Sequence, residues 1–188
     1  MKDIVHQEIN EHIEIASSIF SQSREIVTCA NICIDCLESG GKILLFGNGG
    51  SASDAQHIAA ELVGRYKTER IGLSAIALTT DTSIITSIGN DFGYDKIFSR
   101  QVEAIANSGD TFIGISTSGK STNVINALKL ARKLNCNAIG MSGRDGGEMN
   151  EICNINLVIK SDDTARIQEM HILIGHIICN LIDQNFKS

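Results

Sequence analysis

The sequence predicts a doubly wound α/β protein: a three-layer sandwich around a five-stranded parallel sheet of flavodoxin-like order 2-1-3-4-5, preceded by two helices. Three observations predict it. Short, nearly continuous apolar runs recur at 42–46, 73–78, 111–115, 138–141 and 155–159, bounded by glycine or polar residues, as strands buried on both faces require. Segments with apolar residues at helical spacing, 51–66, 95–107 and 121–134, separate them, which is the alternation of βαβ units. At 188 residues the chain is long enough for one full core, so a single domain is expected, with a helical pair over 1–38 and an α/β core over 39–188.

The helical pair is read from Ile4, Ile9, Ile13, Ala16 and Phe20, then Ile26, Cys29, Cys33 and Leu37. A pair placed before the first strand has no crossover role, so it either covers its own sheet or packs on a neighbouring subunit. Cys29, Cys33 and Cys36 spell C-x3-C-x2-C, a spacing also found in iron–sulfur enzymes that cleave S-adenosylmethionine. Here the offsets of four and seven put the three sulfurs on one apolar helix face, and Cys136, Cys153 and Cys179 lie in apolar runs. Reduced core cysteines account for all six. After the last strand, SDDT (161–164) is a capping turn into ARIQEMHILIGHIICNLIDQ, a helix apolar on nearly every side and therefore expected to be buried at a subunit interface. His171 and His176 are unusual in that setting.

Composition narrows the function classes. Apolar residues make up 43% and charged residues 20%, as in a globular protein. A net charge of −6 without a Lys/Arg tract argues against nucleic acid, although local donors can still hold one phosphate. The N-terminus lacks a signal-peptide core and no apolar run approaches the ~18 residues of a membrane span, so a cytoplasmic protein is expected, with no membrane association.

In a sheet of this order, ligands bind beyond the carboxyl ends of the first and third strands, where strand order reverses. The loops there are GNGGSAS (47–53) and STSGKST (116–122), the two richest in glycine and hydroxyls. Ser116, Thr117, Ser118 and Ser121 surround Gly119 at a strand-to-helix turn suited to an anion. The string GISTSGKS matches a nucleoside-triphosphate loop literally. It follows the third strand, however, and the later strands end in Met141-Ser142 and Lys160-Ser161 rather than in an acidic metal ligand. In GNGGSAS, Ala52 stands where the dinucleotide fingerprint has its third glycine and no acidic residue ends the second strand. No nucleotide cofactor is expected; Asn48 and Ser51 are read as ligand-facing donors. On the helix that follows, Asp54, His57, Glu61 and Arg65 share one stripe. That stripe is either a solvated face with a Glu61–Arg65 ion pair, a His57/Glu61 metal site at i,i+4, or the place of a base, Glu61.

The four motifs GNGGSASDAQHIAAELVGRY, GNDFGYDKIFSRQVEA, GISTSGKSTNVINAL and RIQEMH, present in that order, resemble the sedoheptulose-7-phosphate (phosphoheptose) isomerases of the sugar-isomerase (SIS) domain family. The resemblance covers essentially the whole chain. It implies an SIS fold and an aldose–ketose isomerase interconverting sedoheptulose 7-phosphate and D-glycero-D-manno-heptose 7-phosphate, the first step towards the heptose of lipopolysaccharide or capsule. It implies a homotetramer with sites between subunits, Glu61 as base and His176 as acid. The substrate-binding positions become Asn48, Gly49, Gly50, Ser51, Arg65, Asp91, Ser116, Thr117, Ser118, Ser121 and Gln168. Some members hold one zinc per site, and those ligands fall on His57, Glu61, Gln168 and His176. Ala165 stands where some members have an acidic residue. Eight residues, about 12 Å of straight helix, separate Gln168 from His176, so their meeting at one metal requires two subunits or an irregular helix. The alternatives are a non-catalytic SIS protein that binds the replication initiator DnaA, or an SIS isomerase for another sugar phosphate.

Overall fold

The computed structural model describes residues 1–187. Helices α1 (Lys2–Ser18) and α2 (Ser23–Glu38) precede β1 (Ile43–Gly47), α3 (Gly50–Val63), β2 (Ala75–Ala77), α4 (Thr82–Phe92), α5 (Ser99–Ile105) and β3 (Thr111–Ser116). Then come α6 (Thr122–Lys133), β4 (Asn137–Gly143), the single turn α7 (Met149–Ile152), β5 (Ile155–Ile159) and α8 (Thr164–Phe186). The five strands are all parallel in the order β2-β1-β3-β4-β5, as expected.

Alternation along the strands builds two cores. Ile43 and Leu45 of β1, Ile113 and Ile115 of β3, and Ile139 and Met141 of β4 face α2, α3 and α8. Leu44, Phe46, Phe112 and Ala138 face the opposite layer of α5 and α6. Gly114 belongs to that second face because a methyl group on it would come within 2.8 Å of Leu128 Cδ1.

Several boundaries differ from the sequence reading. The second strand is only Ala75–Ala77, an edge strand paired with β1 alone, although Leu73 and Leu78 are buried beside it. The segment read as a helix over 95–107 is a 3-10 turn followed by α5, and Gly93, at φ +87, separates it from α4. Helix α4 has no counterpart in the sequence reading; Asp81 caps it by accepting from the Ile84 amide at 2.9 Å. Helix α3 ends at Val63, so Arg65 lies beyond it rather than on its stripe, because Gly64 turns the chain away at ψ −99.

The two N-terminal helices divide the roles that the sequence left open. Helix α2 buries Ile26, Cys29, Cys33 and Cys36 against the sheet and α8, which confirms the core reading of the cysteines. Helix α1 has no fully buried residue; Ile15 and Ala16 at its end pack half-buried on the core, and polar contacts tie it to α8, with His12 Nδ1 2.8 Å from Glu169 Oε2 and Arg166 Nη1 donating to the Glu8 carboxylate at 2.8 Å. Its Ile4, Val5, Ile9 and Ile13 are exposed, and Phe20 beyond it is 83% exposed.

Helix α8 runs without interruption from its cap, where Asp163 accepts from the Ala165 amide at 2.7 Å. No helix is long and apolar enough to cross a membrane among the described residues. His171 is fully buried on α8 and donates from Nε2 to the Ser142 carbonyl at 3.0 Å, leaving Nδ1 without a partner. Burial pulls its imidazole down from 6.5 to about 4, against the opposing effect of the Ser142 hydrogen bond. The unfolded chain therefore binds this proton first as pH falls, and native stability contributed by neutral His171 is full above pH 6.5 and is lost on the way down through pH 4. We expect His171→Gln, which keeps an amide donor for Ser142, to lose about 3 kcal/mol less than the unmutated protein across that window. Urea unfolding at a series of pH values measures the difference; Asp54, which titrates in the opposite sense, is common to both proteins and cancels.

Candidate active site

The site forms beyond the carboxyl ends of β1 and β3 and continues along the paired helices α3 and α8. Gly47 ends β1 where a methyl group would meet the Ile115 carbonyl oxygen at 2.8 Å, so only glycine lets the two strand ends approach. Gly49, at φ +58, then turns the chain into α3. Asn48 and Asn123 exchange hydrogen bonds through both amides, at 2.9 and 2.8 Å, and Tyr94 Oη donates to Asn48 Oδ1 at 3.1 Å. Asn48, expected to face a ligand, thus spends its carbonyl and one amide hydrogen on tying the first loop to the third-strand loop and to the 3-10 turn at Tyr94. Asp91, at the end of α4, accepts from Asn90 Nδ2 at 2.8 Å and is exposed.

In the other loop the hydroxyls converge. Ser116 Oγ lies 2.8 Å from Ser121 Oγ and 3.4 Å from Ser118 Oγ, while Ser118 Oγ accepts from the Lys120 amide at 3.1 Å. Thr117 is half-buried between them. Lys120 is directed away, to Asp145 at 3.3 Å, and this ammonium together with the Gly147 amide holds the Asp145 carboxyl below the usual range. The turn depends on Gly119, at φ +64, where a methyl group would stand 2.1 Å from the Gly146 carbonyl oxygen.

Along the helices, Gly50 packs on Gln168, and a methyl group on Gly175 would come within 2.6 Å of Ile58 Cδ1. Helices α3 and α8 therefore run side by side in the same direction. Two turns down, His57 Nε2 is 3.4 Å from His176 Nε2 and 3.3 Å from Glu61 Oε1. The Tyr66 ring stacks on His176 at 5.4 Å with an interplanar angle of 18°. Asp54, one turn before His57, is half-buried with Oδ2 unpartnered; burial pushes its carboxyl up to about 6, against the pull of His57. Arg65 is exposed, and among the described residues no ion pair joins it to Glu61. Sequence reasoning nominated neither Tyr94 nor Asn123, although both lie inside motifs it singled out. It also missed the packing of Tyr66 on His176, which depends on a contact between distant segments.

The ligand atoms of His57, Glu61 and His176 all lie within 4.8 Å of one another. Two imidazoles and a carboxylate are a zinc-type donor set, and bonds of ~2.0–2.1 Å at tetrahedral angles require ligand atoms about 3.3 Å apart, which the His57–His176 and His57–Glu61 spacings of 3.4 and 3.3 Å meet. These three residues fit a zinc ion. Gln168 is not with them: α8 is regular, so Gln168 stays two turns away beside Gly50. Chemically, the cluster brings a carboxylate that can accept a proton next to an imidazole that can donate one. For the hydroxyl loop, we expect Gly119→Ala to weaken the apparent affinity for inorganic phosphate, read from its protection against thermal unfolding, by about 5–150-fold, since losing one or two hydrogen bonds costs about 1–3 kcal/mol. Far-UV circular dichroism should remain unchanged.

Known proteins resemble this chain in both sequence and fold. The family model described as the SIS domain matches residues 9–143. A phosphoheptose isomerase of Aliarcobacter butzleri is 62% identical over 188 residues, covering 100% of both chains. One from Campylobacter jejuni serotype O:6 is 56% identical over 186 residues, covering 99% of this chain and 100% of its own. Among solved structures, a phosphoheptose isomerase from Neisseria gonorrhoeae superposes with a TM-score of 0.93 at 43% identity, covering 97% of this chain and 98% of that one. One from Francisella tularensis gives 0.93 at 38% identity, with 97% of each chain covered. Agreement in sequence and in fold over nearly the full length of both partners leads to one assignment: the chain belongs to the SIS domain family and, within it, to the phosphoheptose isomerases.

Proposed function

We propose that this protein interconverts sedoheptulose 7-phosphate and D-glycero-D-manno-heptose 7-phosphate through an enediol, supplying the heptose of bacterial lipopolysaccharide or capsule. The observation that carries the reading is the approach of the Glu61 carboxylate and the His176 imidazole, within 4.8 Å of each other, in a chain 62% identical to a phosphoheptose isomerase. An aldose–ketose exchange needs a base that takes a proton from one carbon and returns it to the next, and an acid that serves the oxygens. Glu61 is the base and His176 the acid. The hydroxyls of Ser116, Thr117, Ser118 and Ser121 hold the phosphate, helped by Arg65. Asn48, Gly49, Gly50, Ser51, Asp91 and Gln168 line the path of the sugar.

His57, Glu61 and His176 are the residues that would hold one zinc ion. Bound there, it would polarise the carbonyl and stabilise the developing enediolate. With zinc on Glu61 Oε1 and His176 Nε2, proton transfer would fall to the atoms left free, Glu61 Oε2 and His176 Nδ1. The protein acts in the cytoplasm as a homotetramer, a reading supported by the exposed apolar residues of α1, which a second copy would cover. Gln168, if it joins the metal, does so from a neighbouring subunit; full activity in a demonstrated monomer would refute that arrangement.

Purified protein incubated with sedoheptulose 7-phosphate should form aldose. Glu61→Gln and His176→Gln should each lower kcat by about 10²–10⁴-fold, the usual worth of a general acid or base. Unchanged turnover in Glu61→Gln overturns the assignment of the base. No turnover by the unmutated protein, with and without added zinc, would favour a binding module.

A further inference from the structure

We propose that the buried Arg70–Asp183 pair is the positioning device of this site, fixing Glu61 on α3 and His176 on α8 at one separation. The inference rests on the isomerase reading and extends it to two residues that work behind the reacting groups. Both side chains have 0% exposure, so neither touches a substrate.

The geometry is specific. Arg70 Nε donates to Asp183 Oδ1 at 2.6 Å, Nη2 to the Glu61 carbonyl at 2.9 Å, and Nη1 to the Leu62 and Ile71 carbonyls, each at 2.9 Å. Helix α3 stops at Val63, so the carbonyls of Glu61 and Leu62 lack helical partners; the guanidinium donates to both, and the Leu73 amide shares the Leu62 carbonyl at 3.1 Å. It thereby holds the backbone of the residue assigned as base.

Asp183 works from the other side. Its Oδ2 accepts from the Lys67 and Thr68 amides at 2.7 and 2.9 Å, anchoring the segment after α3. That segment contains Tyr66, whose ring lies on His176. On α8, Asp183 follows His176 by seven residues, about two turns, and so shares its face. One carboxylate therefore holds both the cap on the turn of Glu61 and the loop that lays Tyr66 on His176. Stability alone is a weak account of such a pair, because apolar replacements of a buried ion pair are often as stable.

The test compares the unmutated protein with Asp183→Asn and Arg70→Lys, well below the melting temperature of each, by circular dichroism, steady-state kinetics and cobalt(II) titration of the metal-free protein followed by visible absorption. A lysine keeps the charge but cannot bridge the two carbonyls and Asp183 together. We expect folded variants with kcat lowered tenfold or more, cobalt(II) affinity weakened about 10–100-fold as for other residues that orient metal ligands, and shifted absorption bands. Variants that melt earlier but keep kcat, cobalt(II) affinity and bands would overturn the proposal. Should Asp183→Asn not fold, the same readouts on Arg70→Lys decide between these outcomes. An unmutated protein without isomerase activity would defeat the functional reading instead, and the cobalt(II) bands would still test the positioning role.

Discussion

The close approach of α8 to α3 is the contact on which the site depends. It is possible because α8 presents Gly175 to Ile58, where even a methyl group would come within 2.6 Å of Cδ1. Glycine in a helix interior costs about 1 kcal/mol relative to alanine, a cost offset by bringing the helices together. With a larger residue the axes would separate, and the 3.4 Å spacing of His57 and His176, the neighbour after Gly175, would be lost. At the upper end of the same interface, Gly50 leaves room for Gln168. Small residues on both helices thus set the distance at which a carboxylate and two imidazoles face one another.

The sheet sets the second constraint. Its central strands β1, β3 and β4 are buried on both faces, so the polar groups of the connecting loops gather at the strand ends, and the order switches there between β1 and β3. Gly47 lets the strand ends meet, and the Asn48–Asn123 amide pair joins the two loops that flank the switch point. The hydroxyls of Ser116, Ser118 and Ser121 are consequently held at a fixed position relative to α3. The hydroxyl loop therefore lies at one end of the α3–α8 pair and the Glu61–His57–His176 cluster further along it. Such a division matches the proposed isomerase, in which binding energy at a remote phosphate can be used for proton transfer at the carbonyl.

Much of the fold is legible in the sequence because it is periodic. The apolar runs of β1, β3, β4 and β5 and the helical spacing of α2, α6 and α8 are local signals, and strand order follows from their alternation. Helix α4 carries Ile84, Ile88 and Phe92 at helical spacing, but Thr82–Phe92 is also rich in β-branched residues and contains Gly89, so low helix propensity masks the period, and none of its side chains is fully buried. The end of α3 is hidden for a different reason: Gly64 leaves the helix in order for Arg70, six residues on, to cap it from outside, and no local window registers that.

By itself the sequence determined the order of the five parallel strands and the helices α1, α2, α3, α6 and α8 around them, and singled out the two glycine- and hydroxyl-rich loops at the strand ends, since each of these is written in spacing and composition. Tertiary structure alone decided which distant residues meet. It put His176 against His57 and Tyr66, and Asn123 against Asn48. It also paired Asp183 with Arg70 and kept Gln168 two turns from the cluster within the chain. The reason is physical: those contacts arise from the packing distance of two helices and from backbone groups left unpaired at a helix end, and both exist only once the chain has folded.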